Sequence, residues 1–455
     1  MSAEMTLLVK LPGESWASEK RYIAEWVLQE RLGIPVRFEI GVSSVWELRY
    51  GKNVLRLPNL FFPETKPETY LTRGSLPSAP FAHLTEAELA VRSGSLCESR
   101  IPVLWQNNQS DSKSLDIFGT IFFLITRYEE VCIRERDSLE RFLSGMSIST
   151  QGGFLGRPLV DEYIEILSQW LRETAGVPNW IERHPPQYKF ILTHDVDVPS
   201  RWKKRTPFTL VRALASDLIK KQDPVRAIQS WQGFFDPDQD HVSCFNWMMD
   251  TAEKYSLQST YYFIAGGEHP HDYEIHYNLK EPYYLELLKR MTKRGHRIGI
   301  HGSFESYLNP ELLRSEIAYL SEASQSEITL GRQHYLRFLA PETWHVQELA
   351  GLKFDSSIGY SDQSGFRAGT CFEYPVFDVK LGKKLEIREQ PLIVMEHSLL
   401  SSVYEGLSHP QAFEKSKLLL DRVKKFGGQF VFLWHNHNLV KPADRELFEQ
   451  ILNLA

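Results

Sequence analysis

The first part of the chain combines helical and strand patterns of apolar residues. Apolar side chains recur at helical spacing over residues 19–32, 116–131 and 161–175, which predicts three amphipathic helices. Short runs that alternate apolar with polar residues and contain many β-branched or aromatic side chains predict strands. These runs are residues 36–40, 45–50 and 53–57. We therefore predict a mixed α/β domain here.

The second part of the chain repeats one pattern, an apolar strand followed by an amphipathic helix. The predicted strands are residues 190–194, 260–264, 298–301, 328–330, 354–357, 392–395 and 430–434. Strands that alternate with helices form parallel sheets, and seven repeats predict an incomplete, seven-stranded β/α barrel rather than the full eight. A proline-containing polar stretch at 183–187 separates the two patterns. The predicted domains are residues 1–183 and 188–455.

Composition narrows the class of protein. Lys plus Arg number 52 and Asp plus Glu 58, so the formal charge of −6 does not favour a general nucleic-acid binder. Four cysteines without a CxxC pair build neither a disulfide framework nor a zinc knuckle. The N-terminus lacks a signal peptide, and the longest apolar run, residues 121–125, is too short to span a membrane. We expect a cytoplasmic protein without a transmembrane segment.

Polar residues cluster where the predicted strands end. Six of the seven strands carry or run directly into His, Asp or Glu. The residues are His194, Asp195, Asp197, His301, Glu305, Arg332, His334, Asp355, Glu396, His397, His435 and His437. Because the carboxyl ends of parallel strands meet at one edge, we predict a functional site there.

The residue types in this cluster suit metal-assisted hydrolysis. Aspartate oxygens and histidine nitrogens bind zinc and similar divalent ions. Asp195 and Asp197 alternate along one strand, so one carboxylate can bind a metal while the other accepts a proton. Histidines can bind the metal or donate a proton to the leaving group, so Asp195, Asp197, His301 and His435 together suit cleavage of an amide or ester. The sequence contains no GxSxG, P-loop or dinucleotide-binding glycine motif.

Five ordered motifs resemble those of a known family. THDVD, RIGIHGSFES, GRQHYLRF, GLKFDSS and FVFLWHN follow the order found in the polysaccharide deacetylase (NodB-homology) family of carbohydrate esterases. The resemblance covers residues 188–455 and implies a distorted barrel that removes acetyl groups from N-acetylated sugars. In the first part, DIFGTIFFLITRYEE resembles an uncharacterised bacterial domain that often precedes this barrel.

The resemblance implies a role for five residues. Asp195 matches the general base of the family, and Asp197 matches its metal-binding aspartate. His301 matches the first metal-binding histidine. Arg332 lies where the family has an arginine that steadies the base, and His435 where it has the general acid.

One position departs from the family pattern. The second metal-binding histidine usually follows the first by four residues, where this chain has Glu305. We favour His334, just past the fourth strand, as the third ligand of a divalent metal, with zinc as the expected ion. Glu305 as a ligand and the absence of a functional metal are the alternatives.

Two other segments carry possible contacts. His269, His271 and His276 lie in the loop after the second strand, either as sugar or metal contacts or as solvated side chains. The basic stretch at 201–205 follows the two aspartates and is either a phosphate contact or a solvated turn.

These observations lead to one functional hypothesis and two alternatives. We predict a metal-dependent hydrolase that removes an acetyl or other acyl group from a sugar during cell-surface polysaccharide synthesis. The substrate would be an N-acylated sugar or short glycan, nucleotide- or lipid-linked. The alternatives are a catalytically inactive sugar-binding or assembly protein on the same barrel, and a hydrolase of non-sugar amides.

Overall fold

The computed structural model describes residues 6–64, 68–106, 113–178, 186–202, 206–240, 242–273 and 277–455. In the first part of the chain, four strands form a sheet in the order β2-β1-β3-β4. The strands are β1 (Leu7–Pro12), β2 (Val36–Gly41), β3 (Trp46–Tyr50) and β4 (Asn53–Leu57). A separate pair consists of β5 (Ala82–Thr85) and β6 (Arg100–Val103). The three predicted strands of this part are confirmed.

The helices of the first part follow the predicted amphipathic pattern with one interruption. They are α1 (Ala17–Glu25), α2 (Phe61–Glu64), α3 (Ile117–Ile125), α4 (Tyr128–Cys132), α5 (Ile148–Gln151) and α6 (Leu159–Trp170). π-helical turns extend α1 to Arg31 and α6 to Ala175. The predicted helix at 116–131 is wrong as a single element, because Arg127 has a left-handed backbone (φ 55°) and separates α3 from α4.

All seven predicted strands of the second part lie in one sheet with the order β12-β13-β11-β10-β9-β8-β7-β15-β14. From β13 to β14 every neighbouring pair is parallel. The strands are β7 (Lys189–Val196), β8 (Ser259–Phe263), β9 (Arg297–Gly302), β10 (Leu330–Gln333), β11 (Phe354–Asp355), β12 (Tyr374–Asp378), β13 (Lys383–Glu389), β14 (Val394–Met395) and β15 (Gln429–Leu433). The mixed α/β class is confirmed.

The observed sheet differs from the predicted seven-stranded barrel in two respects. An antiparallel hairpin, β12–β13, occupies the position beside β11, so the sheet has nine strands. Within the described residues, β12 and β14 are not paired to each other, and the sheet is open. Two backbone hydrogen bonds join the segment before β14 to β11 and the residues after it. The amide of Gln390 donates to the carbonyl of Asp355 (2.8 Å), and the amide of Leu392 donates to the carbonyl of Ile358 (3.0 Å).

Helices connect the parallel strands. They are α7 (Pro207–Ala215), α8 (Pro224–Phe235), α9 (Phe245–Lys254), α10 (Pro270–Tyr273), α11 (Pro282–Lys293), α12 (Pro310–Ser324), α13 (Glu342–Ala350), α14 (Glu396–Leu400), α15 (His409–Phe426) and α16 (Pro442–Leu452). The start of α12 is typical: Asn309 accepts a hydrogen bond from the Leu312 amide (3.1 Å), and Pro310 opens the first turn. Each connection returns the chain from the end of one parallel strand to the end of the sheet where the next strand begins. All parallel strands therefore end on the same side.

The two parts of the chain are in direct contact. Asp161 of α6 accepts hydrogen bonds from the Cys371 amide and the Thr370 hydroxyl, both 2.9 Å away, and pairs with Arg31 at 2.6 Å. The predicted boundary at 183–187 falls mostly outside the described residues. The division into domains 1–183 and 188–455 stays a prediction.

Candidate active site

The six residues predicted for the site come from four strands of the sheet, β10, β9, β7 and β15, with β8 between β9 and β7. Asp195 lies at the end of β7 and Asp197 directly after it, while His301 lies at the end of β9. Arg332 lies in β10, His334 follows that strand, and His435 follows β15. Of the six, all but Arg332 line one cavity of about 320 Å³. The carboxyl ends of the parallel strands thus bring the predicted residues together.

Three of these side chains form a group that could hold a metal ion. The ligand atoms of Asp197, His301 and His334 all lie within 4.8 Å of one another. The Oδ1 atom of Asp197 is 3.3 Å from Nε2 of His301 and 3.8 Å from Nε2 of His334. Within the described residues this buried oxygen has no hydrogen-bond partner. A buried carboxylate oxygen facing two imidazole nitrogens is an arrangement that a cation satisfies.

Hydrogen bonds at the far side of each ring orient the two histidines. Nδ1 of His301 is 2.9 Å from the carbonyl oxygen of Arg332. Nδ1 of His334 is 2.9 Å from the Oδ1 atom of Asp272. When each Nδ1 donates to its oxygen, the lone pair of each Nε2 points toward Asp197, which is the tautomer that metal binding requires.

Asp195 is held by a buried arginine. Nη1 of Arg332 donates to Oδ1 of Asp195 and to the hydroxyl of Thr193, each at 2.9 Å. The other guanidinium nitrogens donate to the carbonyl oxygen and the hydroxyl of Ser356, also at 2.9 Å. The other carboxylate oxygen of Asp195 is 3.7 Å from Nε2 of His301. Arg332 thereby fixes one oxygen and leaves the second toward the cavity.

His435 also lines this cavity, and a carboxylate holds its ring. Nδ1 and the backbone amide of His435 lie 2.7 and 3.0 Å from Oε1 of Glu396. Burial lowers the pKa of His435, but the negative charge of Glu396, with those of Asp197 and Asp195, raises it to about 10. Nε2 of His435 is 3.6 Å from Oδ2 of Asp197.

Three histidine rings lie around Asp197. Burial alone would raise the pKa of this carboxyl, but the close contact from His301 and the charges of His334 and His435 hold it well below its usual value. Asp197 is therefore an anion over the whole neutral range.

Several other predicted residues lie elsewhere. Glu305 is exposed at the start of a 3₁₀ turn and is not part of the metal-type group. Asp355 is buried beside Ser357 and Gln347, away from the cavity lining. His269 and His271 stack against Phe304 outside the cavity, with ring centroids 4.3 and 4.7 Å away.

Two predictions fall partly or wholly outside the described residues. His276 and residues 203–205 of the basic stretch belong to this group. Of the basic stretch, Arg201 pairs with Asp217 at 2.6 Å, and Trp202 is buried.

Sequence reasoning missed two kinds of contribution. Asp272, which orients His334, lies in the same segment as His269 and His271. Its spacing from the other candidate residues matches no metal-ligand motif, so the linear pattern does not indicate its role. The first part of the chain also contributes to the cavity wall through Leu139 and Arg141. Asp137 holds Arg141 at 2.8 Å, and Nη2 of Arg141 is 3.3 Å from the hydroxyl of Tyr404.

Comparison with known families gives one match. Residues 7–176 match the model of DUF7033, which is described as a family of unknown function. This region coincides with the part of the chain that was predicted to hold an uncharacterised domain. Comparison with curated proteins finds no match.

Several solved structures are similar to part of the chain. A Mycobacterium smegmatis protein described as a polysaccharide deacetylase is 13% identical, over 59% of this chain and 83% of its own, with a TM-score of 0.38. Puue allantoinase is 12% identical over 59% and 83% of the two chains, with a TM-score of 0.36. A CE4 family pseudoenzyme from Bacillus anthracis is 10% identical over 59% and 61%, with a TM-score of 0.29. At these identities the chemistry of this chain rests on its own residues.

Among the described residues, no helix combines the length and the apolar character that crossing a membrane requires.

Proposed function

We propose that this protein is a metal-dependent hydrolase that removes an acetyl or other acyl group from the nitrogen of a sugar. One observation carries the proposal. An Asp-His-His group in which both histidines are buried adjoins two proton-transfer candidates, Asp195 and His435, at a single cavity. Each candidate is held by a buried partner of opposite charge, which is the arrangement that acid–base catalysis needs.

The donor set fits a divalent ion, with zinc as the preferred choice. One carboxylate and two neutral imidazoles are typical of catalytic zinc sites, and three protein ligands leave a position for water or substrate. Asp197, His301 and His334 would hold the ion. The chemistry that such an ion supplies when bound is polarisation of the amide carbonyl and acidification of a water molecule.

The side chains of this protein divide the proton transfers between them. Asp195, held through one oxygen by Arg332, accepts the proton of the attacking water with its other oxygen. His435 is protonated at neutral pH because its pKa is raised to about 10, so it can donate a proton to the departing nitrogen. Glu396 fixes the orientation of this ring through Nδ1.

The finer proposal concerns the substrate. A cavity of about 320 Å³ is large enough for one acylated sugar ring, and its wall offers hydrogen-bonding groups from Arg141, Tyr404 and Asn438. We assign the protein to synthesis of a cell-surface polysaccharide, with a nucleotide- or lipid-linked N-acyl sugar, or a short glycan, as substrate.

The test measures metal content and acyl release together. The zinc-loaded protein is incubated with N-acetyl and N-formyl sugars in free, nucleotide-linked and lipid-linked form, and released acetate or formate is quantified. We expect release that a chelator stops, and a rate about 10²–10⁴-fold lower for Asp195→Asn. Asp250→Asn, an exposed aspartate outside the cavity, is the matched control and should leave the rate unchanged.

Three outcomes contradict the proposal in different ways. Absence of both zinc binding and acyl release, with Asp195→Asn equal to the wild type, excludes the enzyme. Sugar binding that survives chelation without turnover favours the inactive sugar-binding protein. Release from non-sugar amides alone favours a hydrolase of another substrate class.

A further inference from the structure

Large apolar side chains are exposed on an insertion between β7 and β8. The insertion contains α7, the π-helical turn Ser216–Lys220 and α8. Eight of the sixteen large hydrophobic side chains that are exposed among the described residues lie here, each with at least 52% of its surface accessible. They are Phe208, Val211, Leu218, Ile219, Val225, Ile228, Trp231 and Phe235. We call this set the hairpin surface.

The hairpin surface follows helical spacing and points away from the protein. On α8 the exposed apolar residues recur every three or four positions, from Val225 to Phe235. The residues of α8 that are buried are small: Ala227, Ser230 and Gly233. In an ordinary surface helix the apolar stripe faces the core, so here the polarity is reversed. A concentration of this kind marks an interaction surface.

The charges beside the hairpin surface are positive. Arg212, Lys220 and Lys221 are exposed, and Arg226 is partly so. Of the acidic residues in the same stretch, Asp217 is buried and pairs with Arg201, Lys221 and Arg226, and Asp223 caps the start of α8 by accepting from the Arg226 amide at 2.8 Å. This basic character contrasts with the net charge of −6 of the whole chain.

The insertion is fixed to the strand that carries the two site aspartates. The hydroxyl of Ser230 in α8 donates to Asp217 at 2.6 Å, and Arg201 bonds to the same carboxylate. The side-chain amide of Asn436 donates to the carbonyl of Val198 at 2.8 Å. Val198 lines the catalytic cavity. Arg201, which holds the insertion through Asp217, is four residues after Asp197 in the chain. The insertion therefore begins beside the cavity.

We propose that the hairpin surface docks on an anionic lipid bilayer. Helices that lie in a membrane interface combine Phe, Trp, Leu and Ile on one side with Lys and Arg beside them, and anionic headgroups attract the basic side chains. Charge complementarity favours this occupant. Docking would bring the cavity to the bilayer, so that the acyl sugar substrate is lipid-linked; this last step alone rests on the proposed function.

The test is sedimentation of the full chain with vesicles. Phosphatidylcholine vesicles are compared with vesicles of phosphatidylcholine mixed with phosphatidylglycerol. We expect the protein to bind the anionic vesicles and to be released by salt. A variant carrying Phe208→Ser, Ile219→Ser and Trp231→Ser should bind about tenfold more weakly or less. Lys220→Glu with Lys221→Glu should weaken binding to the anionic vesicles alone.

The matched control removes exposed apolar side chains elsewhere. Val403→Ser with Leu418→Ser, two other exposed hydrophobic positions, should leave vesicle binding unchanged. The hairpin variants should release acetate from a water-soluble N-acetyl sugar within about twofold of the wild-type rate, since none of the changed residues lines the cavity. Failure of docking is thereby distinguished from failure of the enzyme.

Four results would overturn the proposal. The first is equal sedimentation with and without vesicles, and the second is equal binding by the hairpin and control variants. The third is a wild-type dimer in solution that the triple variant dissociates, because a second copy of the chain would then cover the surface. A purified acidic protein that binds the wild type and competes with the vesicles would likewise replace the bilayer as the occupant.

Discussion

Two of the buried groups of charged side chains in the described part of the chain differ in how completely they are paired. The first, which we call the interface cluster, joins the two parts of the chain and consists of Arg127, Glu129, Glu130 and Arg367. Arg127 bonds to Glu130 at 2.8 Å and to Glu129 at 2.7 Å, and Arg367 bonds to Glu130 at 2.6 Å. All four side chains are buried, and none lines the candidate active-site cavity.

The second group lines the candidate active-site cavity and leaves polar atoms unpaired. Within the described residues, Oδ1 of Asp197 and Nδ1 of His437 are buried without a hydrogen-bond partner. In the interface cluster no side-chain nitrogen or oxygen is left in this state. The comparison teaches that burial of charge is not by itself a sign of catalysis. Convergent, unpaired groups beside a cavity are the better indication.

The largest expected effect separates the two groups by stability. Arg127→Met removes a guanidinium and leaves two glutamates buried. Burial raises the pKa of Glu130, and the charges of Arg367 and Arg127 lower it to about 2, so loss of Arg127 removes part of what stabilises this buried anion. We expect the free energy of unfolding in urea to fall by about 3–5 kcal/mol. The acyl-release rate per folded molecule should stay within about twofold, since the cluster does not reach the cavity.

The control for this prediction is an exposed ion pair. Arg21→Met breaks the pair of Arg21 with Glu25, which lies on the surface, and should cost less than about 1 kcal/mol. If Arg127→Met abolished the rate of the folded protein as Asp195→Asn is expected to do, the functional separation of the two groups would be wrong.

The fold was predictable where local pattern decides it. Apolar strands such as 190–194 and 430–434 are buried on both faces of a parallel sheet, so their sequence is nearly continuous in hydrophobic residues. The hairpin β12–β13 was not predicted, because its pairing beside β11 depends on contacts distant in sequence. The break at Arg127 was missed for a similar reason: its guanidinium bonds to the carbonyl of Arg367, far along the chain.

The site was predictable from strand ends and less so from partners. Asp195, Asp197, His301 and His435 follow parallel strands, and the fold alone brings their side chains together. The partners that orient them come from other loops and cannot be seen in a linear pattern. Asp272 is 62 residues from His334, and the bond from Glu396 to His435 spans 39 residues.

The second expected effect concerns this missed partner. Asp272→Asn keeps the size of the side chain but weakens its hold on Nδ1 of His334, so we expect zinc affinity to fall about 10–100-fold in calorimetric titration. The backbone amide of Phe304, which donates to both carboxylate oxygens of Asp272, can still bond to the remaining oxygen, so the folded structure should persist. Asp250→Asn is the matched control. Unchanged zinc affinity in Asp272→Asn would show that His334 does not bind the metal through this arrangement.

The smallest expected effect sharpens the comparison with a third buried site, the carboxyl pair of Asp355 and Glu389. Burial raises the pKa of Glu389 well above its usual value, and the negative charge of Asp355 adds to this. The folded protein therefore keeps a proton on Glu389 that the unfolded chain loses above about pH 4.5, so stability falls as pH rises. The slope is at most about 1.4 kcal/mol per pH unit.

Glu389→Gln removes this titration and should flatten the dependence of unfolding free energy on pH between about pH 5 and 7. Glu389 accepts hydrogen bonds from both the Trp344 indole (2.8 Å) and the Ile358 amide (3.1 Å), and a glutamine amide cannot accept from both. The substitution therefore lowers stability at every pH, so the slope of stability against pH is the quantity to compare. Since the pair lies away from the cavity, the pH profile of acyl release should not change with it. Equal slopes for the variant and the wild type would mean that Glu389 is ionised in the fold, and that its charge is balanced as completely as those of the interface cluster.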